Sequence, residues 1–501
     1  MTFDGYAIEL LDTQGGNMSK IINDLRQYID ICKELDACQL IEGADWDLEI
    51  GALCEAVAER VDGPPMLLFE KIKGYEKGGR VVGLPYASSK RVAIALGLDH
   101  NKPELELVRD AANMIQAANA NPIAPREVVD SPVMQNVMTG GEVDLNVLPT
   151  PRYHADDGGR YIGVGHSLLN RDPDSGFVNM GCYRLQIHER NLLGSWVSPG
   201  NDARLIYEKY WSKGEACPVA IAIGTDPLTF TGSWVKLQWG HSELDFVGGL
   251  RGEPLDIIKG PITGLPIPAH AEIVMEGEVP PPGVEARPEG PFGEWPGYYS
   301  GGTIGTGEDQ PVVRVQGLYY RDNPILVNVS PMWTGAPLLG LPFDAGVLWN
   351  QLEGAGIQGI KGCYTFLPYL VVVAIEQRYP GHAKQVGLAT VSCAVSARNG
   401  RYVVVVDDDI DITNIKEVLW AMQTRVDPYT DIELIDGCWS TPLDPRMPPH
   451  KRTSGDYTNS RAIFYATRPW EWRNQFPKVS RASKALRDAM ATKYKELFRF
   501  S

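Results

Sequence analysis

Three ionisable side chains, Arg184, Glu289 and Glu294, have the types and settings that acid–base chemistry on an acidic substrate requires. Arg184 closes the segment 179–184, Asn-Met-Gly-Cys-Tyr-Arg, and the two glutamates enclose Gly-Pro-Phe-Gly at 290–293. Proline fixes φ and glycine allows close approach of a ligand, so this short segment can bring both carboxylates to one site. Like charges raise the pKa of one carboxylate, and a nearby arginine lowers that of the other. Such a group can hold a carboxylate and deliver a proton. From the spacing alone, an exposed acidic loop is an open alternative.

Other motifs are better explained by structure than by chemistry. Residues 354–359 read Gly-Ala-Gly-Ile-Gln-Gly, but a dinucleotide-binding motif must follow a strand, and this one follows a helical pattern. We therefore predict a helix C-terminus and a turn there. The acidic run at 407–411 lacks the spacing of a calcium loop, and we predict a strand end followed by turn and cap carboxylates. No histidine pair has the spacing of a metalloprotease motif, and Gly-x-Ser-x-Gly is missing. Four histidines of the central region show no metal-binding spacing: His154, His166, His188 and His241.

The composition excludes several classes of partner. The chain has 501 residues, 44% of them hydrophobic, which predicts several globular domains with ample core. Its net charge of -16 disfavours nucleic acid and anionic membrane partners, although a local arginine can still bind a small anion. The N-terminal residues lack the pattern of a signal peptide, and no stretch reaches the roughly 20 apolar residues of a membrane span. Eight scattered cysteines without a Cys-x-x-Cys pair indicate reduced thiols in a cytoplasmic protein.

Changes of pattern along the chain predict three domains and a terminal helix. Residues 1–125 alternate helix and strand patterns, whereas strands and Gly/Pro turns dominate 126–320 and predict an antiparallel β domain. Helix and strand alternate again over 321–475. The stretch 476–501 contains a basic amphipathic helix, which could contact a partner subunit or pack on its own chain.

Local signals predict where several elements begin. Asp45 or Asp47 is the expected N-cap of a helix over 48–61, and Ser88 that of a short helix ending near residue 96. Asn414, with Glu417 three residues later, predicts a capping box.

Several segments together resemble the UbiD family of decarboxylases, and the resemblance covers nearly the whole chain. The segments 179–184 and 288–297 resemble the family's active-site segments. The others are Leu148-Pro-Thr-Pro151 followed by His154 and by 157–162, then Val403–Ile412, Val418–Ala421 and Thr424–Pro428. Each match is weak alone, but the set is specific.

The resemblance implies a multidomain α/β (α+β) fold: an N-terminal α/β domain, a central split β-barrel that binds the flavin, and a C-terminal α/β domain with a terminal helix. It implies prenylated FMN as cofactor, made by a separate flavin prenyltransferase. It also implies manganese (Mn2+) or magnesium (Mg2+), potassium (K+), and a homodimer or larger homo-oligomer. The implied reaction is reversible, non-oxidative decarboxylation of an aromatic, heteroaromatic or α,β-unsaturated carboxylic acid, with CO2 as the second product.

The resemblance also assigns roles to residues. Arg184 matches the arginine that binds the substrate carboxylate, Glu289 its paired carboxylate and Glu294 the proton donor. Asn179 and Glu243 match ligands of the divalent metal. The cofactor-binding set is Asn179, Met180, Gly181, Cys182, Tyr183, Arg184 and Glu243, and the monovalent-cation set is Gly232, Ser233 and Val235.

One position departs from the family pattern. Ferulic acid decarboxylases have a histidine two residues after a proline in the metal shell, and Pro199-Gly200-Asn201 puts Asn201 there. An amide oxygen can bind manganese or magnesium, but it is a weaker, neutral donor. Lys384 is the nearest candidate for a phosphate contact, to which the sequence does not commit. Trp196 and Trp333 are aromatic residues that suit either a planar substrate or core packing.

Two alternative functions remain open at the level of sequence. A plain-FMN oxidoreductase would need a hydride donor site, and the glycine motif at 354–359 does not supply one. A non-catalytic subunit of a carboxylase complex would not need Arg184, Glu289 and Glu294 together.

Overall fold

The computed structural model describes residues 21–61, 63–300, 309–329, 340–366 and 368–498. Its N-terminal part is built from four helices and three strands. These are α1 Leu25–Glu34, β1 Cys38–Glu42, α2 Glu49–Arg60, β2 Met66–Glu70, β3 Arg80–Gly83, α3 Ser89–Ala95 and α4 Glu104–Ala120. The first two strands are parallel and β3 runs antiparallel to β2. The alternation of helix and strand predicted for this region is confirmed.

Side-chain caps fix the starts of two of these helices. The Asp24 carboxylate accepts the Gln27 N–H at 2.8 Å before α1. Ser88 Oγ accepts the Arg91 N–H at 3.3 Å before α3, which confirms its prediction as an N-cap.

The predicted cap of α2 is wrong. The helix begins after Leu48, which has a left-handed φ of 71° and makes no side-chain cap bond. Asp45 instead accepts the Asp47 N–H at 3.0 Å, and Asp47 pairs with Arg152 at 2.6 Å. Both carboxylates are therefore engaged in the turn and in a contact with the next domain, rather than at the helix N–H groups.

The central part is rich in strands. Its elements are β4 Arg126–Glu127, β5 Asn136–Thr139, β6 Tyr161–Gly163, β7 His166–Arg171, β8 Val178–Gly181, β9 Leu185–Glu189, β10 Leu192–Ser195, α5 Asp202–Trp211, β11 Cys217–Ile223, α6 Pro227–Gly232, α7 Glu243–Arg251, β12 Asp256–Lys259, β13 Pro266–Pro268, β14 Ile273–Val279, β15 Ala286–Arg287, β16 Gly293–Glu294, β17 Tyr298–Tyr299 and β18 Gln310–Tyr320.

Ten of these strands form one sheet. Its main path is β6-β9-β10-β18-β14-β11-β7-β8, and β5 and β15 also pair with the long β18. Its strand pairs are antiparallel, which confirms the antiparallel β domain predicted from the Gly/Pro-separated strands. Alternate residues of β11, such as Val219 and Ile221, are fully buried in the core of this sheet.

The C-terminal part returns to alternating helices and strands. Its elements are β19 Ile325–Asn328, α8 Gly340–Gly354, β20 Ile360–Phe366, β21 Leu370–Ile375, α9 His382–Ser392, α10 Ala394–Asn399, β22 Tyr402–Asp407, α11 Ile415–Arg425, β23 Ile432–Trp439, α12 Pro449–Ser454, β24 Thr458–Ala466 and α13 Lys484–Lys493. Five strands form a sheet in the order β20-β21-β22-β24-β23. Its central strands are buried, as the all-valine run 403–406 shows.

The strand β19 belongs in space to the N-terminal sheet. It pairs in parallel with β3, Ile325 opposite Arg80, and completes the order β1-β2-β3-β19. A strand that follows the central domain in sequence thus ties that domain back to the N-terminal one.

Two motifs take the structural form predicted for them. The helix α8 ends at Gly354, and Gly356 and Gly359 have positive φ values of 81° and 73° in the turn that follows. Asp407 ends β22 and accepts a bond from Arg425 Nη1 at 3.0 Å, and Asp409 binds the same guanidinium.

The capping box at α11 forms only in part. The Asn414 side chain accepts the Lys416 N–H at 3.0 Å, but Glu417 accepts the Asp411 N–H at 3.2 Å. All eight cysteines are free thiols, as predicted. Across the described ranges, no helix has the length and apolar character needed to cross a membrane.

Candidate active site

Arg184, Glu289 and Glu294 meet in one buried ion cluster. Arg184 Nε donates to Glu289 Oε1 at 2.8 Å and Nη2 donates to Oε2 at 2.5 Å, a bidentate pair. The remaining nitrogen, Nη1, donates to Glu294 Oε1. The exposed fractions are 7% for Arg184, 0% for Glu289 and 7% for Glu294. The alternative of an exposed acidic loop is therefore excluded.

Burial and charge shift the pKa values of Arg184 and Glu294. Burial alone would lower the pKa of Arg184, but the two carboxylates outweigh it and raise that pKa above its ordinary value. The arginine therefore remains a cation. Burial raises the pKa of Glu294, although its bond to Arg184 acts in the opposite direction. Glu294 is thus a carboxyl group that becomes easy to protonate when Arg184 is engaged elsewhere.

The central sheet and one hairpin position these side chains. Arg184 lies in the short connection between β8 and β9, and Glu294 lies in β16, which pairs with β17. Two hydrogen bonds hold the loop before β16. The Gly158 N–H donates to Pro291 O at 2.7 Å, and Tyr161 Oη donates to the same oxygen at 3.2 Å. A Cβ at Gly158 would lie 2.2 Å from Gly290 O, so only glycine permits this approach.

Two aromatic rings lie against the guanidinium of Arg184. Its central carbon lies 5.0 Å from the ring centroid of Trp196 and 5.5 Å from that of Phe292. Phe292 in turn packs against Tyr161 in a tilted arrangement, with 4.2 Å between ring centroids. Trp196 is therefore next to the charged cluster, whereas Trp333 lies outside the described residues.

A second buried polar cluster lies where the start of α7 meets β8. Glu243, the first residue of α7, accepts the Met180 N–H at 2.9 Å and is 3% exposed. Burial, with a smaller contribution from the nearby Asp202 carboxylate, raises the pKa of Glu243 to about 8. Two carboxylates in a poorly solvated place are costly unless a cation lies with them.

Asn179 is oriented by a side chain from the adjacent strand. Its Nδ2 donates to Asn170 Oδ1 at 2.9 Å, and Asn170 Nδ2 donates to Ala203 O at 3.2 Å. With the amide nitrogen committed to Asn170, the Asn179 oxygen is the atom left to face a cation. The same bridge ties β8 to the first turn of α5, where Asp202 lies.

The residues predicted as monovalent-cation ligands lie beside this cluster. Gly232 ends α6, and a Cβ there would lie 3.3 Å from Met180 Cε and 3.8 Å from Glu243 O. Ser233 follows it, and the Val235 N–H donates to Gly232 O at 3.3 Å. Carbonyl oxygens at the end of a helix carry partial negative charge, which suits a cation.

The structure gives less support to two of the predicted positions, Asn201 and Lys384. Asn201 is the N-cap residue of α5 without a side-chain cap bond, and the carboxylate that influences Glu243 is the next residue, Asp202. Sequence reasoning missed Asp202, although an acidic residue beside the Pro-Gly turn was a visible signal. It also missed Asn170, which no sequence pattern marks. Lys384 lies on α9, largely exposed, and pairs with Glu433 at 3.4 Å in the C-terminal sheet.

Three family models match consecutive parts of the chain. They are described as the N-terminal, Rift-related and C-terminal domains of 3-octaprenyl-4-hydroxybenzoate carboxy-lyase (UbiD), and they match residues 30–112, 126–333 and 348–466.

Whole-chain comparisons agree with these matches. A phenolic acid decarboxylase of Streptomyces sp. (strain D7) is 31% identical over 85% of this chain and 89% of its own length. A pyrrole-2-carboxylic acid decarboxylase of Pseudomonas aeruginosa is 32% identical over 83% and 85%. The UbiD-class enzyme HmfF from Pelotomaculum thermopropionicum, in complex with FMN, has a TM-score of 0.81 and 28% identity over 94% of this chain and 100% of its own. An evolved dimeric form of HmfF in complex with prFMN has a TM-score of 0.77 and 27% identity over 93% and 98%. Matches of this extent show that the chain belongs to the UbiD family of carboxy-lyases.

Proposed function

We propose that this protein decarboxylates an aromatic, heteroaromatic or α,β-unsaturated carboxylic acid with prenylated FMN. The observation that carries the proposal is the buried cluster of Arg184, Glu289 and Glu294. The relatives named for phenolic acids and pyrrole-2-carboxylic acid, and the HmfF complexes with FMN and prFMN, support the substrate class and the cofactor.

The geometry of Arg184 supports a division of labour between the two glutamates. Glu289 occupies two nitrogens of the guanidinium, which fixes its plane and leaves Nη1 as the edge for a second anion. A substrate carboxylate at Nη1 replaces the bond to Glu294. Glu294 then loses the group that keeps its pKa down, takes up a proton, and donates it to the carbon from which CO2 has left.

The cofactor is needed because these side chains cannot stabilise the product of bond cleavage. Loss of CO2 from an aromatic or vinylic carbon leaves an electron pair in the plane of the π system. Acid–base help of about 10²–10⁴-fold does not overcome that barrier. Prenylated FMN, when bound, supplies an electron sink through covalent attachment to the substrate. We propose that the central domain is a split barrel and that the cofactor binds to it beside the segment 179–184.

Glu243 and Asn179 fit a divalent metal that would hold the flavin phosphate. The fit rests on a buried carboxylate whose charge needs a cation, and on an amide whose nitrogen is bonded to Asn170, so that its oxygen is the metal donor. Manganese and magnesium prefer oxygen donors of this kind. Gly232, Ser233 and Val235 would hold a potassium ion nearby.

Two neighbouring residues, Asn201 and Asp202, are the candidates for the third protein ligand of the metal. Asn201 is the residue predicted from the family pattern, and Asp202 is the carboxylate that acts on Glu243. We expect Asp202→Asn to lower the manganese content of dialysed protein by about tenfold, because a charged ligand is lost. We expect Asn201→Ala to have a smaller effect. Metal analysis of both variants after dialysis tests this, and Asp309→Asn, at an exposed position, is the control. Equal manganese retention in Asp202→Asn and the unaltered protein would refute the role of Asp202.

The cofactor test decides between this function and its alternatives. The chain is co-expressed with a flavin prenyltransferase and purified without oxygen, and the released flavin is identified by its spectrum and mass. Prenylated FMN near one per chain supports the proposal, and a panel of aryl and acrylic acids then identifies the substrate. Ordinary FMN would favour an oxidoreductase. No flavin, with manganese and potassium supplied, would favour a non-catalytic subunit.

The same preparation reports the assembly state. We propose a homodimer or larger homo-oligomer, and the terminal helix α13 supports it. The helix exposes two apolar side chains, Leu486 and Met490, and the turn after it exposes Leu497, between lysines and arginines on an otherwise acidic chain.

A further inference from the structure

A further charged cluster, separate from those of Arg184 and Glu243, contacts the hairpin that carries Glu294. His154 Nε2 lies 3.0 Å from Glu55 Oε1, and His154 Nδ1 lies 3.5 Å from Asp157 Oδ2. The backbone N–H of His154 also donates to Asp157 Oδ2 at 2.9 Å. One imidazole thus lies within ion-pair distance of two carboxylates, one from α2 of the N-terminal domain and one from the entry to the central domain.

This cluster is bonded to the catalytic hairpin. The Gly293 N–H donates to Asp157 Oδ1 at 3.2 Å, and Gly293 is the residue before Glu294. A Cβ at Gly293 would lie 3.1 Å from His154 Nδ1, so the imidazole ring rests against the hairpin backbone. Asp157 is buried, so its charge depends on His154 and on the Gly293 N–H for compensation.

We propose that His154, as an imidazolium held between Glu55 and Asp157, is a positioning residue that fixes the hairpin so that Glu294 faces Arg184. The cation lies against the Asp157 carboxylate and keeps it in place to accept the Gly293 N–H. Loss of the cation leaves two carboxylates near each other and releases the hairpin backbone. The proposal deepens the proposed function, on which its catalytic consequence rests.

The neighbouring charges set the pH range over which this device operates. Bonding to Asp157 and to Glu55 raises the pKa of His154 from 6.5 to about 9, although burial acts against them. Tyr299 of β17 also faces Asp157, and burial together with that carboxylate raises its pKa, so it stays neutral over this range. Because the folded-state pKa of His154 is raised, its stabilisation is complete below about pH 6.5 and is lost as the pH rises through about 9.

The first test measures thermal stability against pH and requires no turnover. We expect His154→Gln to lower the melting temperature of the purified holoenzyme below pH 6.5, and the difference from the unaltered protein to disappear above pH 9. A difference that stays constant across the range would overturn the proposal. This measurement separates the positioning role from the decarboxylase function, since it holds whether or not a substrate has been found.

The second test measures kcat against pH. Glu55→Gln removes one of the two carboxylates, so we expect the alkaline fall of kcat to move to lower pH by about 0.5–1 pH unit, with KM little changed. His154→Gln should lower kcat by about tenfold or more, because Glu294 is displaced, and should remove the contribution of His154 to that fall. Glu49→Gln is the matched control: it changes the same helix, but Glu49 pairs with Lys73 at 3.7 Å instead. An unmoved alkaline fall in Glu55→Gln, or full kcat in His154→Gln, would refute the role of His154.

Discussion

At the scale of single residues, Glu294 and Glu289 show how position changes the task of the same side chain. Glu289 is fully buried and makes a bidentate pair with Arg184, so its replacement leaves the guanidinium without its orienting partner. Glu294 makes a single bond to the same group and has a raised pKa. The first is held firmly by two bonds to the guanidinium, and the second is suited to gain and lose a proton.

Replacement of Glu294 by glutamine separates proton donation from binding. We expect Glu294→Gln to keep the bound flavin, because the side chain has the same size, and to lower kcat by about 10²–10⁴-fold, because an amide cannot protonate carbon. Flavin content and turnover, measured on one preparation, provide the test. Glu106→Gln, on the exposed face of α4, is the control. Normal turnover with glutamine at this position would remove Glu294 from the mechanism.

At the scale of elements, the loop 288–292 depends on a glycine in a different segment. Gly158→Ala would place a methyl group 2.2 Å from Gly290 O, so one backbone must move. We expect the variant to be destabilised by about 1–3 kcal/mol and to lose most activity, because the displaced loop carries Glu289 and leads to Glu294. Denaturant unfolding and turnover measure the two effects. Gly141→Ala is the matched control, since nothing lies within 4 Å of its Cβ. Unchanged stability of Gly158→Ala would mean that the loop moves freely.

The sequence alone predicts local elements better than their partners. The Ser88 cap and the turn after α8 follow from short patterns and are confirmed. The pairing of Arg184 with Glu289 and Glu294 spans 105 and 110 residues, and no local pattern specifies it. It came from a family resemblance. The place of β19 beside β3 was not predicted for the same reason: alternating apolar residues indicate a strand but not its neighbour.

At the scale of the whole molecule, the C-terminal domain contacts the catalytic hairpin. The ring centroid of Trp295, the residue next to Glu294, lies 5.3 Å from that of Tyr369. The Arg401 guanidinium lies 4.3 Å from the centroid of the Tyr369 ring. Ser300 Oγ, just after the hairpin, donates to Leu443 O at 2.8 Å. Arg401 is itself held by Asp444. A run of contacts thus joins the proton donor to the C-terminal sheet, and the position of that domain bears on the geometry of Glu294.

Removal of the Tyr369 ring tests whether this contact matters for catalysis. We expect Tyr369→Ala to lower kcat by about tenfold, because Trp295 loses its support and Glu294 its fixed distance from Arg184. Flavin content should be unchanged, since Tyr369 is remote from Asn179 and Glu243 in the chain and bonds to neither cluster in the described contacts. Tyr379→Ala, another tyrosine of the same domain that bonds to Gln385, is the control. If Tyr369→Ala turned over like Tyr379→Ala, the C-terminal domain would serve only to cover the hairpin. A selective loss of kcat would instead show that the C-terminal domain, through Tyr369 and Trp295, fixes the position from which Glu294 delivers its proton.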